Sequence, residues 1–267
     1  MKENKELNIY SESPSSKKQY WFVIKELTGR EIKRKYARSK LGIAWSILNP
    51  LLNMIVMSLI FSYMFRRSID KFPVYYLIGQ TMYGLFGEAT RSAMTSIVDN
   101  KTLILRTKLP KRTFTLSRIY TAFVNFIYTV IPLIAILIFF KVQISWKALL
   151  IIFDLILWMM FTIGVGYILA VLYVFFADIK HLYGILLTIL MYLSAIFYPA
   201  NSLPDYMKIV VSYNPIFLAI DIARHLIQYN LFPYYTEWVK LGIYAVVAFV
   251  IGKLVYWANE NRIMAVM

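Results

Sequence analysis

The sequence predicts an all-α integral membrane protein with six transmembrane helices, and three observations support this fold class. Of the 267 residues, 60% are hydrophobic and only 16% are charged, whereas soluble domains are about half apolar and a quarter charged. Six apolar segments approach or exceed the ~20 helical residues that are needed to cross a bilayer core. The basic residues are concentrated in alternate connecting segments, as in multi-pass membrane proteins.

The six predicted spans lie within a single transmembrane domain, residues 44–258. They cover about residues 44–65, 74–98, 119–140, 148–176, 182–198 and 238–257. Residues 1–20 lack the apolar core of a signal peptide, so the first span is expected to remain in the protein as a membrane helix. Three small residues in the fourth span, Gly164, Gly166 and Ala170, predict close packing against another helix.

The distribution of Lys and Arg predicts the orientation. If the N-terminus is cytoplasmic, the inner segments carry 19 of the 29 Lys and Arg residues and the outer segments carry 7. Positive residues are retained on the cytoplasmic side, so both termini are predicted to be inside. The connecting segments are then a cytoplasmic N-terminus (1–43), a cytoplasmic loop (99–118), an external segment (199–237) and a cytoplasmic tail (259–267). This topology accounts for the net charge of +15, and no nucleic-acid partner is expected.

A cationic segment, residues 17–40, precedes the first span. On a helical wheel, its mainly apolar stripe consists of Trp21, Ile24, Thr28, Ile32 and Tyr36. Most of its basic residues, including Arg34 and Arg38, lie outside the stripe, while Lys25 and Lys35 would have to extend past it. The pattern predicts an amphipathic helix at the inner membrane surface that interacts with anionic lipids. An ordinary positively charged flank of the first span is the alternative.

The external segment 199–237 is too long and too apolar for a simple loop. Four prolines interrupt it, and the stretch between residues 209 and 227 has one amphipathic and one apolar half. Irregular backbone at membrane depth has to be covered by protein, because lipid cannot form hydrogen bonds with it. The segment therefore predicts short re-entrant helices before the last span.

Several function classes are excluded or disfavoured by residue content. With no cysteine, the chain cannot form a disulfide framework, a thiolate metal site or a Cys nucleophile. The two histidines, His181 and His225, are too few and too far apart for a local His-based metal motif. We expect neither catalytic residues nor a metal site. No phosphate-binding loop of the form G-x-x-x-x-G-K-[ST] occurs, so any ATP and Mg²⁺ would be bound by a partner.

Three stretches of the sequence together resemble one family of transporters. The first is "REIKRKY" (30–36), followed by Leu41-Gly42, Trp45 and Asn49-Pro50-Leu51. The others are "FFADIKHLYGILL" (175–187) and "FYPANSLPDYMKIVVSYNPIFLAIDIAR" (197–224). In these stretches and in their order the chain resembles the permeases of type-2 ABC exporters, and more narrowly those that export polysaccharide, O-antigen, capsule or teichoic acid.

The resemblance implies a non-catalytic membrane subunit in the plasma (inner) membrane of a bacterium or archaeon. Such a permease pairs with a second copy of itself and with two copies of a cytoplasmic ABC ATPase, and it moves a lipid-linked glycan outward. The family's coupling helix corresponds to the loop 99–118, with ATPase-coupling candidates Lys101, Leu103, Ile104, Leu105, Arg106, Lys108 and Leu109. The interface-helix candidates are Trp21, Ile32, Arg34, Lys35, Tyr36 and Arg38.

Charged and aromatic residues within the spans are candidates for lining the channel. Glu88 and Arg91 occupy i,i+3 positions on one helix face, where they predict either a structural ion pair or a polar patch on the channel wall or dimer seam. Asp154, near the outer end of its span, is expected to reach the headgroups. The full candidate set is Tyr75, Tyr76, Tyr83, Phe86, Glu88, Arg91, Tyr192, Phe197 and Tyr198. For any single aromatic residue, helix packing or lipid contact is the alternative.

Other function classes fit the sequence less well. A secondary transporter would be expected to have internal repeats and several buried carboxylates, but no convincing repeat occurs, and only Glu88 and Asp154 lie within spans. An intramembrane enzyme would need a clustered set of catalytic residues, and no cluster of His, Asp or Cys residues occurs in the sequence. Within the exporter class, a permease for a drug, a lipid or heme is the nearer alternative.

Overall fold

The computed structural model describes residues 17–37, 39–64, 69–107 and 109–266, with the backbone alone for residues 17–19. Within these residues the chain forms ten α-helices and no β-strand. The helices α1 to α10 are, in order, Lys17–Tyr36, Ala44–Met64, Phe72–Asp99, Lys101–Arg106, Arg112–Phe139, Ile151–Phe175, Ile179–Leu193, Asp205–Ser212, Pro215–Ile227 and Tyr235–Val266. Short 3₁₀ helices occur at Trp146–Leu150 and Ala200–Ser202. The predicted all-α class is confirmed.

Helices occupy all six predicted span positions, but the six-span count is not confirmed. Among the described residues, four helices are long and apolar enough to cross a membrane: α2, α5, α6 together with the 3₁₀ helix before it, and α10. The pair α8 and α9 meets at an 89° bend and could form a fifth span or a re-entrant loop. Helix α3 has 28 residues and is therefore ~42 Å long, but its polar face lowers its hydropathy. Helix α7 has only 15 residues, or ~22 Å.

Helix α3 is the central element. It packs against α2, α5, α6 and α9, and its buried face supplies much of the main core, including Val74, Leu77, Ile78 and Met94. In water, the burial of such apolar surface is the dominant favourable contribution to folding. In lipid, van der Waals contact between closely packed helices stabilises the fold instead. The arrangement leaves the opposite face of α3 free of other helices along part of its length.

Small residues allow α6 and α10 to pack closely, as the sequence predicts for the fourth span. A Cβ on Gly164 would lie 2.3 Å from the carbonyl carbon of Ala248, and a Cβ on Gly252 would lie 2.2 Å from the oxygen of Gly164. A Cβ on Gly166 would instead meet Ile119 Cδ1 at 3.0 Å. The backbones of α6 and α10 therefore touch at Gly164 and Gly252, and this contact requires glycine at both positions.

Local sequence explains the breaks between elements. Gly42 has a φ of 52°, a left-handed conformation that glycine adopts without a steric penalty, and it lies in the turn between α1 and α2. At the bend between α8 and α9, the Oδ1 atom of Asn214 accepts from the amide of Ile216 at 2.9 Å and caps α9. The Nδ2 atom of Asn214 donates to the carbonyl of Leu193 at 3.1 Å, which ties α9 to the end of α7.

Candidate transport surface and its contacts

One face of α3 is polar and open. Gln80, Gly84, Glu88, Arg91 and Thr95 follow one another at intervals of three or four residues, so they lie on the same side of the helix. Glu88 and Arg91 are exposed, and the other three are half-buried. A charge facing lipid is costly, so such residues face water or protein. This face is therefore the strongest candidate for contact with an aqueous path or with another chain.

Two cavities of about 500 and 480 Å³ open beside this face. Both are lined by Glu88 and Arg118, and together they form what we call the Glu88 recess, between α1, α3 and α5. One cavity extends under α1 to Arg34, and the other extends along α3 to Gln80. The recess thus joins the polar face of α3 to the cationic helix at the start of the chain.

Glu88 pairs across the recess rather than along its own helix. Its Oε1 atom lies 2.9 Å from Lys35 Nζ and accepts a hydrogen bond from Asn125 Nδ2 at 2.7 Å. Among the residues that the structure describes, Arg91 forms no ion pair. The Glu88–Arg91 pair that the i,i+3 spacing allows is therefore not formed, because a long side chain from α1 reaches the carboxylate instead.

Arg118 connects three helices at the inner end of the recess. Its Nη1 atom lies 2.9 Å from Glu31 Oε2 on α1, and its Nη2 atom lies 3.2 Å from Asp99 Oδ2 on α3. Thr95 Oγ1 donates to the same Asp99 oxygen at 2.8 Å. Glu31 and Arg118 are largely shielded from solvent, so this pair is screened less than a surface pair.

Helix α1 packs one face against α5, and this face includes part of the predicted stripe. Ile24 and Thr28 are buried, and the Tyr36 hydroxyl is hydrogen-bonded to Ser46 on α2. Trp21 is half exposed, with its ring edge-to-face with Tyr120 at 5.9 Å between centroids. Of the other interface candidates, Ile32 is half-buried, Arg34 is exposed, and Arg38 lies outside the described residues. Location at the membrane surface remains a prediction.

The predicted coupling loop contains the short helix α4, and its apolar side chains divide into two groups. Ile104 is 3% exposed and belongs to a core cluster with Ile97, Phe114 and Ile263, so it is a packing residue rather than a docking residue. Leu103 and Leu109 are half-buried against that cluster. Leu105 is 51% exposed. The charged residues Lys101 and Arg106 are also exposed. Lys108 lies outside the described residues.

Four of the predicted channel-lining aromatic residues lie in the core of the chain, which corrects that interpretation. Tyr75, Tyr76, Phe86 and Phe197 are buried. Tyr75 donates from its hydroxyl to the carbonyls of Ala195 and Tyr198, at 3.0 and 2.8 Å. The ring of Tyr76 contacts that of Phe197 in a tilted arrangement, and the ring of Phe86 contacts that of Trp158 in the same way. A fully packed ring presents no surface to a polymer, so these residues position α3 rather than line a path.

The remaining aromatic candidates are accessible. Tyr83 is half-buried beside the Glu88 recess, and its hydroxyl donates to the carbonyl of Leu187 at 2.7 Å. Tyr192 is exposed near the end of α7, and Tyr198 is half-buried and donates to the carbonyl of Tyr192. Tyr83, Tyr192 and Tyr198 are therefore accessible enough to remain candidates for lining the channel.

Arg224 is a structural centre that the residue patterns did not identify. It is 1% exposed, and its guanidinium donates to the carbonyls of Tyr75, Ala195 and Ile196 at 3.1–3.4 Å. The guanidinium also lies 3.4 Å from the centroid of the Tyr75 ring. A Cβ on Gly79 would lie 2.8 Å from Nη2 of Arg224. The only available signal was one arginine in a largely apolar helix.

Asp154 is also placed differently from the prediction. The sequence suggested that it reaches the headgroups, but the side chain is 0% exposed. Neither of its carboxyl oxygens has a hydrogen-bond partner among the described residues. The burial of Asp154 depends on how α6 packs in the fold, whereas hydropathy along the chain indicates only the distance of this residue from the end of the span.

Comparison with known proteins supports a transport role for this fold. A family model described as "ABC-2 type transporter" matches residues 23–227. The O-antigen export system permease protein RfbA of Myxococcus xanthus is 29% identical over 188 residues, which cover 70% of this chain and 72% of that protein. RfbA of Klebsiella pneumoniae is 27% identical, with coverage of 71% and 74%. The polysialic acid transport protein KpsM of Escherichia coli is 23% identical, with coverage of 91% and 95%.

The match to the family model extends from α1 through α9, so it includes both sides of the Glu88 recess, the segment with α4 and the bent pair α8–α9. Because the family model matches well over half of the chain, this protein belongs to the ABC-2 type transporter family.

Proposed function

We propose that this chain is the permease subunit of an ATP-driven exporter that moves a lipid-linked polysaccharide from the cytoplasm to the outer side of the plasma membrane. The similar proteins named for O-antigen export and polysialic acid transport support the substrate class. The observation that carries the proposal is the open polar face of α3 from Gln80 to Thr95. A membrane helix that exposes Glu88 and Arg91 needs water, polymer or protein opposite them.

This face suits a hydroxyl-rich polymer. The 15-residue separation from Gln80 to Thr95 corresponds to ~22 Å of helix, which is most of a bilayer core. Amide, hydroxyl and charged groups along it can exchange hydrogen bonds with sugar hydroxyls as the chain moves, without a single tight site. Because the face is open on one side, a second copy of the chain facing it would enclose the path. A homodimer is therefore part of the proposal.

The energy source belongs to a partner in this proposal. Two cytoplasmic ABC ATPase subunits would bind ATP and Mg²⁺, and each would contact the 99–118 segment of one permease chain. The exposed side chains of Lys101, Leu105 and Arg106 support this contact, because docked helices bind through a few anchors within a polar rim. The proposed orientation places this segment, residues 1–43 and the tail 259–267 in the cytoplasm, and 199–237 outside.

Cysteine labelling tests the orientation, because the natural chain contains no cysteine. Cysteines placed at Thr107 and Ser202, both exposed, should respond oppositely to an impermeant thiol reagent in intact cells. We expect labelling at residue 202 and protection at residue 107 until the membrane is permeabilised. Labelling of residue 107 in intact cells would invert the topology and remove the ATPase contact.

The same approach tests the path itself. Single cysteines at Gln80 and Thr95 should react with a small water-soluble thiol reagent in the assembled exporter, and a bulky adduct there should reduce the polysaccharide that reaches the cell surface. Cysteines at Leu59 and Ile138, which are strongly exposed on apolar helices, are the matched lipid-facing controls and should react poorly. If bulky adducts at residues 80 and 95 leave export unchanged, the α3 face is not the path.

A further inference from the structure

Three side chains capable of binding a metal converge where α9 meets the start of α10. Asp221 and His225 lie one turn apart on α9, so they share a face of that helix. Glu237 lies in the first turn of α10. One ligand atom from each residue lies within 4.8 Å of the others, and all three residues are half-buried. This cluster is remote in sequence from every residue assigned above to transport or coupling.

The histidine has a ring nitrogen that can coordinate a metal. Its Nδ1 atom lies 2.9 Å from the carbonyl oxygen of Asp221 and 3.5 Å from Oδ2 of the same residue. A carbonyl only accepts hydrogen bonds, so Nδ1 carries the proton and Nε2 keeps its lone pair, as in sites where a carbonyl orients a metal-binding imidazole. On the carboxylate side, Glu237 Oε2 accepts from the amide of Tyr234 at 3.2 Å, which restrains that side chain.

The two nearby cations of this region, Arg224 and Lys240, form no direct ion pair with the carboxylates among the described residues. Arg224, adjacent to His225, directs its guanidinium to backbone carbonyls. The ammonium of Lys240 lies 4.5 Å from the ring centroid of Tyr213. Within the part of the chain that the structure describes, neither cation lies within 4.0 Å of a carboxylate oxygen of Asp221 or Glu237. With neutral His225, the cluster carries two negative charges in a half-buried setting, where a divalent cation would be strongly favoured.

We propose that Asp221, His225 and Glu237 form a binding site for one divalent transition-metal ion, with Zn²⁺ as the best match. Zinc binds imidazole nitrogen and carboxylate oxygen, commonly with three protein ligands and one open position. Ca²⁺ and Mg²⁺ prefer sites made only of oxygen ligands. The ion would join the bent α8–α9 segment to the last helix. The sequence did not predict this site, because the spacing of the two histidines excludes only a motif that uses both of them. The proposed site uses one histidine together with carboxylates from two helices.

The zinc content of the purified full-length chain tests the proposal. The protein is prepared in detergent without a polyhistidine tag, treated with a chelator, exchanged into buffer and titrated calorimetrically with Zn²⁺ alone. We expect one ion per chain and a higher melting temperature with zinc. His225→Gln and Glu237→Gln should each weaken zinc binding by at least about tenfold. His181→Gln removes the only other histidine, from an exposed position on α7, and should bind zinc as the wild type does.

Either of two results would overturn the site. The first is that His225→Gln binds zinc with the wild-type affinity and stoichiometry, since the ion would then be adventitious. The second is that the wild-type chain takes up no zinc at micromolar concentration, which would leave Asp221 and His225 as a proton-dependent ion pair. Misfolding of a variant is separated from loss of the site by the melting temperature in chelator, which should be equal for the wild type and both variants.

Discussion

The Nζ atom of Lys35 lies 2.9 Å from Oε1 of Glu88, so an ion pair joins the cationic N-terminal helix to the polar face of α3. Both side chains are nearly half exposed, at 46% and 42%, and such pairs contribute only about 0–1 kcal/mol to the free energy of unfolding. A contact of this strength can open and close when α1 moves. We infer that it links motion near the membrane surface to the transport surface.

Breaking this pair should impair export without unfolding the protein. We expect Lys35→Gln and Glu88→Gln each to lower the amount of polysaccharide at the cell surface severalfold, while the melting temperature in detergent changes by less than about 4 °C. Lys33→Gln is the matched control, because Lys33 is exposed on the same helix. It should leave export unchanged, since Lys33 forms no ion pair with the described residues.

Reversal of the two charges distinguishes the pair from its separate residues. The double variant Lys35→Glu with Glu88→Lys restores an attraction of the same kind, so it should export more than either charge-reversed single variant. If the double variant is as inactive as the worse single variant, Glu88 acts through Asn125 or through the polymer rather than through Lys35.

The two neighbouring residues Ile104 and Leu105 should separate stability from ATPase binding. Leu105→Ser alters an exposed side chain, so it should weaken co-purification with the ATPase while the melting temperature stays near that of the wild type. Ile104→Ala removes a buried side chain and should lower the free energy of unfolding by about 2–5 kcal/mol. Equal co-purification of wild-type protein and Leu105→Ser would move the ATPase contact away from α4.

Positions that follow from local patterns were predictable from the sequence, whereas contacts between distant segments were not. Apolar runs between charged segments gave the positions of α2, α5, α6 and α10, because burial in lipid requires continuous apolar surface. Periodicity could not distinguish Ile104 from Leu105, because adjacent helical residues point about 100° apart, but a short helix with several apolar residues does not show which side packs against the core. The partner of Glu88 lies 53 residues away, and no spacing rule relates them.

Buried charged residues were the least predictable part of the molecule. Arg224 lies between three backbone carbonyls because α9 turns back after the 89° bend, and this geometry depends on tertiary packing. Glycine at position 79 leaves the space for the guanidinium, but a glycine in an apolar helix is equally typical of helix contacts.

Loss of the Arg224 guanidinium should destabilise the fold. Arg224→Ala would leave the carbonyl of Ile196 without this donor, at a cost of about 1–3 kcal/mol for a buried unpaired group. The carbonyl of Ala195 would keep only the hydrogen bond from the Tyr75 hydroxyl. Gly79→Ala should also lower the melting temperature, because its Cβ would lie 2.8 Å from Arg224 Nη2. Arg262→Ala, on the exposed side of α10, is the control and should melt like the wild type. Wild-type melting of both core variants would indicate that the arginine can be replaced by water.

Asp154 should respond to substitution in the opposite direction. Both of its carboxyl oxygens are buried without a hydrogen-bond partner among the described residues, and an unpartnered buried polar group costs about 1–3 kcal/mol. Leucine has the same branching at Cγ with two methyl groups in place of the oxygens. We therefore expect Asp154→Leu to raise the melting temperature of the purified chain by about 2–4 °C per kcal/mol gained. Asp154→Asn keeps an unpartnered polar group and should melt near the wild type. A lower melting temperature for Asp154→Leu than for the wild type would contradict this expectation, because the buried carboxyl group would then stabilise the fold rather than cost it free energy.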